Sequence, residues 1–459
     1  MKILRNLKLI SLIAFEYIKR NKQIFLIVIL AVAGLVFLQY KFHFFYSKNN
    51  IRLGLIGTYQ EHDLPLEVTK LVSQSLVTVD EHNRIRPNLV TGWETNNDAT
   101  IFKFKLKDNL KWADGSKIIS PDLDFSIPDV EVSYPDRQTV QFKLKEAYSP
   151  FPSLLIKPIF KKRTLIGVGH YKISKVERSR IFITKITLAP LDAKLPQVFV
   201  RFYPNEKVAL IGFSLGEVES LLGVTNTDYF KNSPVVSVKQ KGDYTKIVTV
   251  LFSVKDTLLS NRSLRQALSF IAPQIKEEEK ADNPYPPTSW AYDTQSKKYL
   301  NNPDEAKAAL ERAKSNLPDS KIHAEIILTS TPMLEGIGKQ VVEAWKSLGF
   351  DAKLRVESGI PQNFQSLLIT QSIPIDPDQY FLWHATQTKT NISKLDSKRV
   401  DKDLEDGRKI ITEGDRRAKY FDFQKALLEE APAIFLYFPK YNIVYLKKSE
   451  KLLNKILSL

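Results

Sequence analysis

The amino-acid sequence predicts an α/β protein of more than one lobe behind a single membrane-length apolar segment. Three observations lead there. Residues 24–40, IFLIVILAVAGLVFLQY, form an uncharged run whose one strongly polar member is Gln39. Residues 85–115 alternate Arg and Lys with Ile, Phe and Leu, the period of two that marks a strand with one buried face. Further along, the apolar spacing turns helical, and strands followed by helix-strand units indicate layered α/β packing. At 459 residues, length alone suggests several domains.

The apolar run comes first. As a helix its 17 residues would span about 25 Å, near the lower limit for crossing a bilayer core. Lys2, Arg5, Lys8, Lys19, Arg20 and Lys22 precede it, so the positive-inside rule puts residues 1–23 in the cytoplasm as a basic segment. Phe42, Phe44, Phe45 and Tyr46 follow like an interfacial aromatic belt. A cleaved signal peptide would end its apolar core in small residues, whereas this run ends in Phe, Leu, Gln and Tyr. The expectation is an uncleaved single-pass anchor at 24–40 with residues 51–459 extracytoplasmic. Ile3, Leu7, Ile10, Ala14 and Tyr17 recur at helical spacing and suit an amphipathic helix on the membrane surface.

The strand pattern is clearest in IFKFKLKDNLKW at 101–112, closed by an Asp-Gly turn at Asp114 and Gly115. Further strands are expected at 139–144, 171–176, 181–188, 197–202 and 246–252, and helices at 263–270, 303–313, 336–348 and 415–430. Pro303 and Asp304 suit a helix start, since proline in the first turn loses no intrahelical bond and an acid there meets the positive end of the dipole. Gly349 suits a stop.

Composition narrows the chemistry. The 43% hydrophobic and 26% charged content is that of a folded protein. Of the net charge of +16, +7 lies in residues 1–50, so the remainder is too mildly basic for a dedicated nucleic-acid binder. With no cysteine there is no disulfide, thiolate metal site, cysteine nucleophile or lipid-modified cysteine. The six histidines form no metal-ligand pair, and neither GxSxG, P-loop nor GxGxxG is present. Gly167-Val168-Gly169 reads as a tight turn, with phosphate cradling as the weaker alternative. Asp376-Pro377-Asp378 reads as a turn, with acid-base chemistry or a cation site as the alternative. Trp93, Trp112, Trp290, Trp345 and Trp383 read as core or lobe-interface residues, one or two of which line a cleft. No nucleophile and base pair is visible, so no enzyme, cofactor or metal is expected.

Several segments in order resemble the solute-binding proteins of peptide and nickel ABC transporters, the large family 5 type. They are Arg86-Pro87-Asn88-Leu89 with Gly92-Trp93-Glu94; Trp112-Ala113-Asp114-Gly115, similar to "W-x-D-G"; and Asp122-Leu123-Asp124-Phe125-Ser126, similar to "D-V-x-F-S". Gly167 to Tyr171 resembles "G-T-G-P-Y", Leu264 to Leu268 resembles "V-R-Q-A-L", and Asn302 to Lys307 resembles "D-P-E-K-A". Trp345 to Gly349 resembles "W-K-x-L-G", and Arg416 to Tyr437 resembles "R-x-x-x-Y-x-x-x-Q" followed by "E-x-A-P-x-I-x-L-Y". Together they cover most of residues 51–440.

The resemblance implies a two-lobed periplasmic-binding-protein-like fold, type II, cluster C, behind the transmembrane helix. Lobe I would be 51–70, 160–250 and 441–459, a small inserted domain 71–159, and lobe II 251–440. The insert is expected to be reduced, because the chain passes from Ser126 almost directly to the next strand. Peptide binders of the family pair an aspartate with the ligand's amino group three residues before the "D-P-D" turn; here that position is Ile373. The implied ligand contacts are Tyr59, Gln371, Ser372, Ile373, Trp383 and Tyr437, with an extended peptide or similar polar solute lying against a strand at 368–373. The implied partners are ABC permease subunits; the alternative is a sensor or envelope scaffold reusing the fold. The charge outside residues 1–50 hints at an acidic ligand or envelope surface.

Overall fold

The computed structural model describes Gly34 and residues 49–299, 301–318 and 324–457. The expected anchor, apart from Gly34, and the amphipathic and aromatic segments flanking it lie outside the described residues. Among the described residues no helix is long and apolar enough to cross a membrane.

Seven strands make a first sheet: β1 (Asn50–Ile56), β8 (Tyr171–Ser179), β9 (Phe182–Pro190), β10 (Gln197–Tyr203), β11 (Ser220–Val224), β12 (Val236–Gly242) and β19 (Lys440–Leu446), in the order β12-β19-β11-β1-β10-β9-β8. Six make a second: β13 (Lys246–Phe252), β14 (Glu279–Lys280), β15 (Ile326–Ser330), β16 (Ala352–Val356), β17 (Ser366–Ser372) and β18 (Ala433–Phe438), in the order β14-β18-β13-β17-β15-β16. Between β1 and β8 in sequence lie the hairpin β2 (Val77–Val79) and β3 (Ile85–Pro87), and an antiparallel sheet of β4 (Val90–Thr95), β5 (Ile101–Leu106), β6 (Val130–Ser133) and β7 (Thr139–Leu144). The helices are α1 (Leu66–Val72), α2 (Glu206–Ser214), α3 (Arg262–Phe270), α4 (Pro303–Lys314), α5 (Glu335–Ser347), α6 (Tyr380–Trp383), α7 (Lys398–Lys409), α8 (Glu413–Glu430) and α9 (Glu450–Leu457).

Each sheet has its own core, for reasons legible in its strands. In β5 the period of two is literal: Phe102, Phe104 and Leu106 are buried while Lys103 and Lys105 are exposed. Phe104 meets Phe142 edge-on at 5.7 Å, and Phe151 closes on Phe102 at 5.1 Å and Phe142 at 5.0 Å. The strand stops at Leu106, short of the expected 112, because Asn109 takes a left-handed conformation (φ 60°). Trp112 and Gly115 then form a tight turn, with Gly115 N–H donating to Trp112 O at 2.9 Å. No α-helix separates β5 from β7 among the described residues. β18 reads as an unbroken apolar run, and β13 after Lys246 as one interrupted only by Thr249, because both their faces are covered.

The expected helices occur within a residue or two of their predicted limits. Asn302 caps α4, its side chain accepting from Glu305 N–H at 3.3 Å with Pro303 in the first turn, and Gly349 leaves α5 at φ 91°. The glycines of Gly167-Val168-Gly169 serve backbone packing. A Cβ on Gly167 would lie 2.3 Å from Val72 O, and one on Gly169 2.4 Å from Leu71 O. Gly169 N–H donates to Val72 O at 2.8 Å, which makes this segment a turn pressed on the end of α1.

The chain crosses between the two large sheets twice, side by side. Residues 243–245 join β12 to β13, and Pro439 joins β18 to β19. Asp243 N–H donates to Pro439 O at 2.7 Å, so the two crossings are themselves hydrogen-bonded. Tyr244 packs edge-on against Phe438 at 5.5 Å and its hydroxyl donates to Glu279 at 2.7 Å. The boundary expected between 250 and 251 falls inside β13; the crossing lies just before it.

Candidate functional site

The end of the second sheet nearest these crossings gathers most of the residues expected to meet solute. β17 pairs antiparallel with β13, Gln371 opposite Ile247 and Ser372 opposite Lys246, and Ile373 N–H donates to Thr245 O at 2.9 Å. On its other side β17 pairs with β15 only from Ser366 to Leu368. Beyond Leu368 it therefore has a ladder partner on one side alone among the described residues. Thr370 and Ser372 are exposed there, while Gln371 and Ile373 are buried. Such a half-paired strand end is what an extended chain can extend by strand addition.

Tyr437 lies across β13 from this edge, opposite Val248. The register slips between Val248 and Thr249, so β18 carries an extra residue at Leu436, which re-aims Tyr437. Burial, then the neighbouring Glu278 carboxylate, pushes the Tyr437 hydroxyl up to about 12. One oxygen of Glu278 is itself buried without a hydrogen-bond partner among the described residues. Trp383 is enclosed in the core, its indole N–H donating to Gln379 Oε1 at 2.8 Å and its ring edge-on to Phe435 at 6.1 Å.

Tyr59 belongs to the first sheet's side. Gly57, at φ 134° where only glycine is at ease, bends the chain after β1 so that Tyr59 folds back. Its hydroxyl donates to Ile56 O at 3.0 Å and its ring tilts on Phe202 at 5.0 Å. Burial, then Glu67 and Asp63, raises its pKa. Glu67 also accepts from Tyr441 Oη at 3.0 Å, which brings this group to the start of β19.

A second feature lies where the small sheet meets the second lobe. A cavity of about 170 Å³ opens there, walled by Trp93 and Phe102 on one side and by Trp290 and Ile411 on the other, with Arg84, Arg86, Arg416 and Asp376 among its polar lining. None of the six expected contacts lines it. Arg416, on α8, is nearly buried. It donates to Asp376 Oδ1 at 2.7 Å, Gly407 O at 3.1 Å and Tyr420 Oη at 3.0 Å, and lies over the rings of Trp290 and Tyr420. Burial opposes its charge, but Asp376 more than restores it, and the guanidinium pKa is held above its usual value.

The Asp376-Pro377-Asp378 turn thus does more than reverse the chain. Asp378 N–H donates to Asp376 Oδ1 at 3.0 Å, the local bond expected of such a turn. The second carboxylate meets Arg408 at 3.1 Å, and burial pushes it up to about 6, Arg408 drawing it back only in part. Arg408 is stacked between Tyr148 of the small domain, 4.8 Å away, and Tyr380, 4.2 Å away. Nearby, Ser149 N–H donates to Arg408 O at 2.7 Å, Trp290 N–H to His82 O at 3.0 Å, and Arg84 pairs with Glu413 at 3.0 Å. The signal for this cavity was present in Trp93, Trp290 and Asp376, but residues so far apart in sequence carry no mark of proximity. Among the described residues, no three His, Cys, Asp or Glu side chains converge as a metal set.

Residues 119–392 match the family profile described as bacterial extracellular solute-binding proteins, family 5 Middle. The chain is similar to the oligopeptide-binding protein AppA of Bacillus subtilis, 22% identical over 83% of each chain. It is also similar to the crystal structure of NikZ from Campylobacter jejuni in complex with Ni(L-His), with TM-score 0.68 and 22% identity over 87% of this chain and 94% of that one. The substrate-binding protein CtaP of Listeria monocytogenes superposes with TM-score 0.72 at 17% identity, over 86% of this chain and 93% of that one. The two-lobed fold is common to these structures. The chain belongs to the bacterial extracellular solute-binding proteins of family 5, and is accordingly a binding protein and not an enzyme.

Proposed function

We propose that this family 5 protein captures a peptide-like solute between its lobes outside the cytoplasm and delivers it to an ABC permease, held at the membrane by residues 24–40. The half-paired end of β17 carries the reading. Its free edge beyond Leu368 offers backbone N–H and C=O groups beside the crossings at 243–245 and Pro439, about which the lobes would close. Gln371 and Ser372 would contact the solute, with Ile373 and Tyr437 flanking it, Trp383 supporting the strand from the core, and Tyr59 approaching from the first lobe. Membership of the family, the basic flank of residues 24–40 and the oligopeptide named for AppA all favour this reading.

Because Ile373 stands where an acid would pair with a free amine, peptides with free and blocked N-termini are expected to bind alike. The test is thermal shift and small-angle scattering of the purified full chain with a library holding both kinds of peptide and metal chelates. Stabilisation with compaction supports capture, and a library that produces neither overturns it. Absence of any permease subunit on copurification would favour the sensor or scaffold reading.

A further inference from the structure

The first lobe carries a surface that the solute cleft does not use, at the end of the first sheet where the chain enters. Gln197 N–H donates to Asn49 O at 2.9 Å, and the Asn49 amide donates to Leu195 O at 3.1 Å, so the loop 191–196 lies beside the point of entry. Lys455 of α9 donates to Lys194 O at 3.0 Å, which brings α9 to the same place. This end presents Lys194, Lys447, Lys448, Lys451 and Lys455, all exposed, together with exposed Leu191 and Leu457. Lys194, Lys447, Lys448 and Lys451 form no ion pair among the described residues.

The local acids offset them only in part. Glu219 pairs with Arg52 at 3.5 Å and Glu217 with Arg201 at 3.2 Å. Asp192 accepts from Lys194 N–H at 2.9 Å and Glu450 from Tyr445 Oη at 3.1 Å, both uncharged donors, so these two acids keep their charge and the five lysines outnumber them by three. Lys451 and Lys455, four residues apart, share one side of α9, and Lys448 stands in the 3-10 turn that leads into it.

We infer that this face rests on an anionic bilayer surface. The occupant follows from where the chain leads. Only residues 41–49 separate the apolar run from β1, and a chain of that length reaches at most about 30 Å. The lysine face is therefore confined to the bilayer's neighbourhood, where basic side chains are drawn to acidic headgroups within a Debye length and small apolar side chains enter the interface. The inference rests on the anchored reading proposed above. It gives the residual positive charge of the outer domain a place: a membrane-facing patch, apart from the cleft.

The absence of cysteine permits a unique label. Leu457→Cys, carrying a fluorophore, is placed in the full chain in nanodiscs containing headgroup-quencher lipid, with or without phosphatidylglycerol; Ser315→Cys, on the second lobe, is the control. Quenching at 457 is expected to be about fivefold stronger in the anionic discs, to vanish in about 1 M salt, and to be lost in the K448E/K451E/K455E variant. The control should stay unquenched throughout. A chain that enters the discs but shows no lipid-dependent quenching at 457 overturns this inference alone. One whose 457 label is protected only as protein density rises overturns it in favour of self-association. A chain that does not enter the discs overturns the anchored reading, and this one with it.

Discussion

The second lobe meets the rest of the protein in two places made of different materials. At the crossings the contact is backbone: β12 and β13 continue alongside β18 and β19, with Gly242 opposite Lys440, Val248 opposite Tyr437, and Asp243 bonded to Pro439 between them. Against the small domain the contact is chiefly side chain: the Arg84–Glu413 pair, the Tyr148–Arg408–Tyr380 stack and two isolated backbone bonds. A ladder cannot part without exposing many peptide groups, each costly to leave unpaired, whereas exposed ion pairs contribute little and re-form readily. The first contact can therefore act as a pivot and the second as a clasp.

The largest effect is expected at the buried arginine behind the clasp. Arg416→Ala should destabilise the protein by about 3–5 kcal/mol in urea unfolding, because Asp376 would be left buried and unpaired. A loss under about 1 kcal/mol would mean that the site is wetter than its burial implies.

The next largest effect is expected at Asp378. Its folded pKa of about 6 lies above the usual carboxylate value, so the folded state holds the proton more tightly. The stability this neutral acid contributes is full below about pH 4 and is lost as pH rises through about 6, on the order of 2–3 kcal/mol in all. Asp378→Asn should flatten that part of a stability-against-pH curve, and an unchanged slope would count against the assignment.

Tyr148→Leu keeps apolar volume but removes one face of the arginine stack, and should cost about 1 kcal/mol. Glu413→Gln is the mildest change, within about 1 kcal/mol of wild type in unfolding. Its sharper readout is scattering of the unliganded chain: a larger radius of gyration would show the clasp opening independently of the pivot, and an unchanged one would merge the two contacts into a single rigid joint.

The sequence was most legible where its signals are local. Alternation in β5 exposed the buried face through Phe102, Phe104 and Leu106, and Asn302, Pro303 and Gly349 marked helix limits by chemistry confined to one turn. It was silent where the determinants are distant. Asp376 and Arg416 meet at 2.7 Å although separated by forty positions, and Tyr148 reaches Arg408 of α7 from the loop after β7. Asp376-Pro377-Asp378 was readable as a turn, but neither arginine partner could be read from it.

By itself, then, the sequence determined the α/β class, the family, the lack of thiol chemistry and the positions of most strands and helices, since these follow from periodicity, composition and short motifs. The tertiary structure alone decided that β17 loses a ladder partner after Leu368, that Trp383 is enclosed while Trp290 lines a cavity, and that the lysines of α9 lie beside the entry to β1. The reason is physical. Pairing, burial and charge neighbourhood depend on which segments meet in space, and no residue's identity fixes that before the chain has closed.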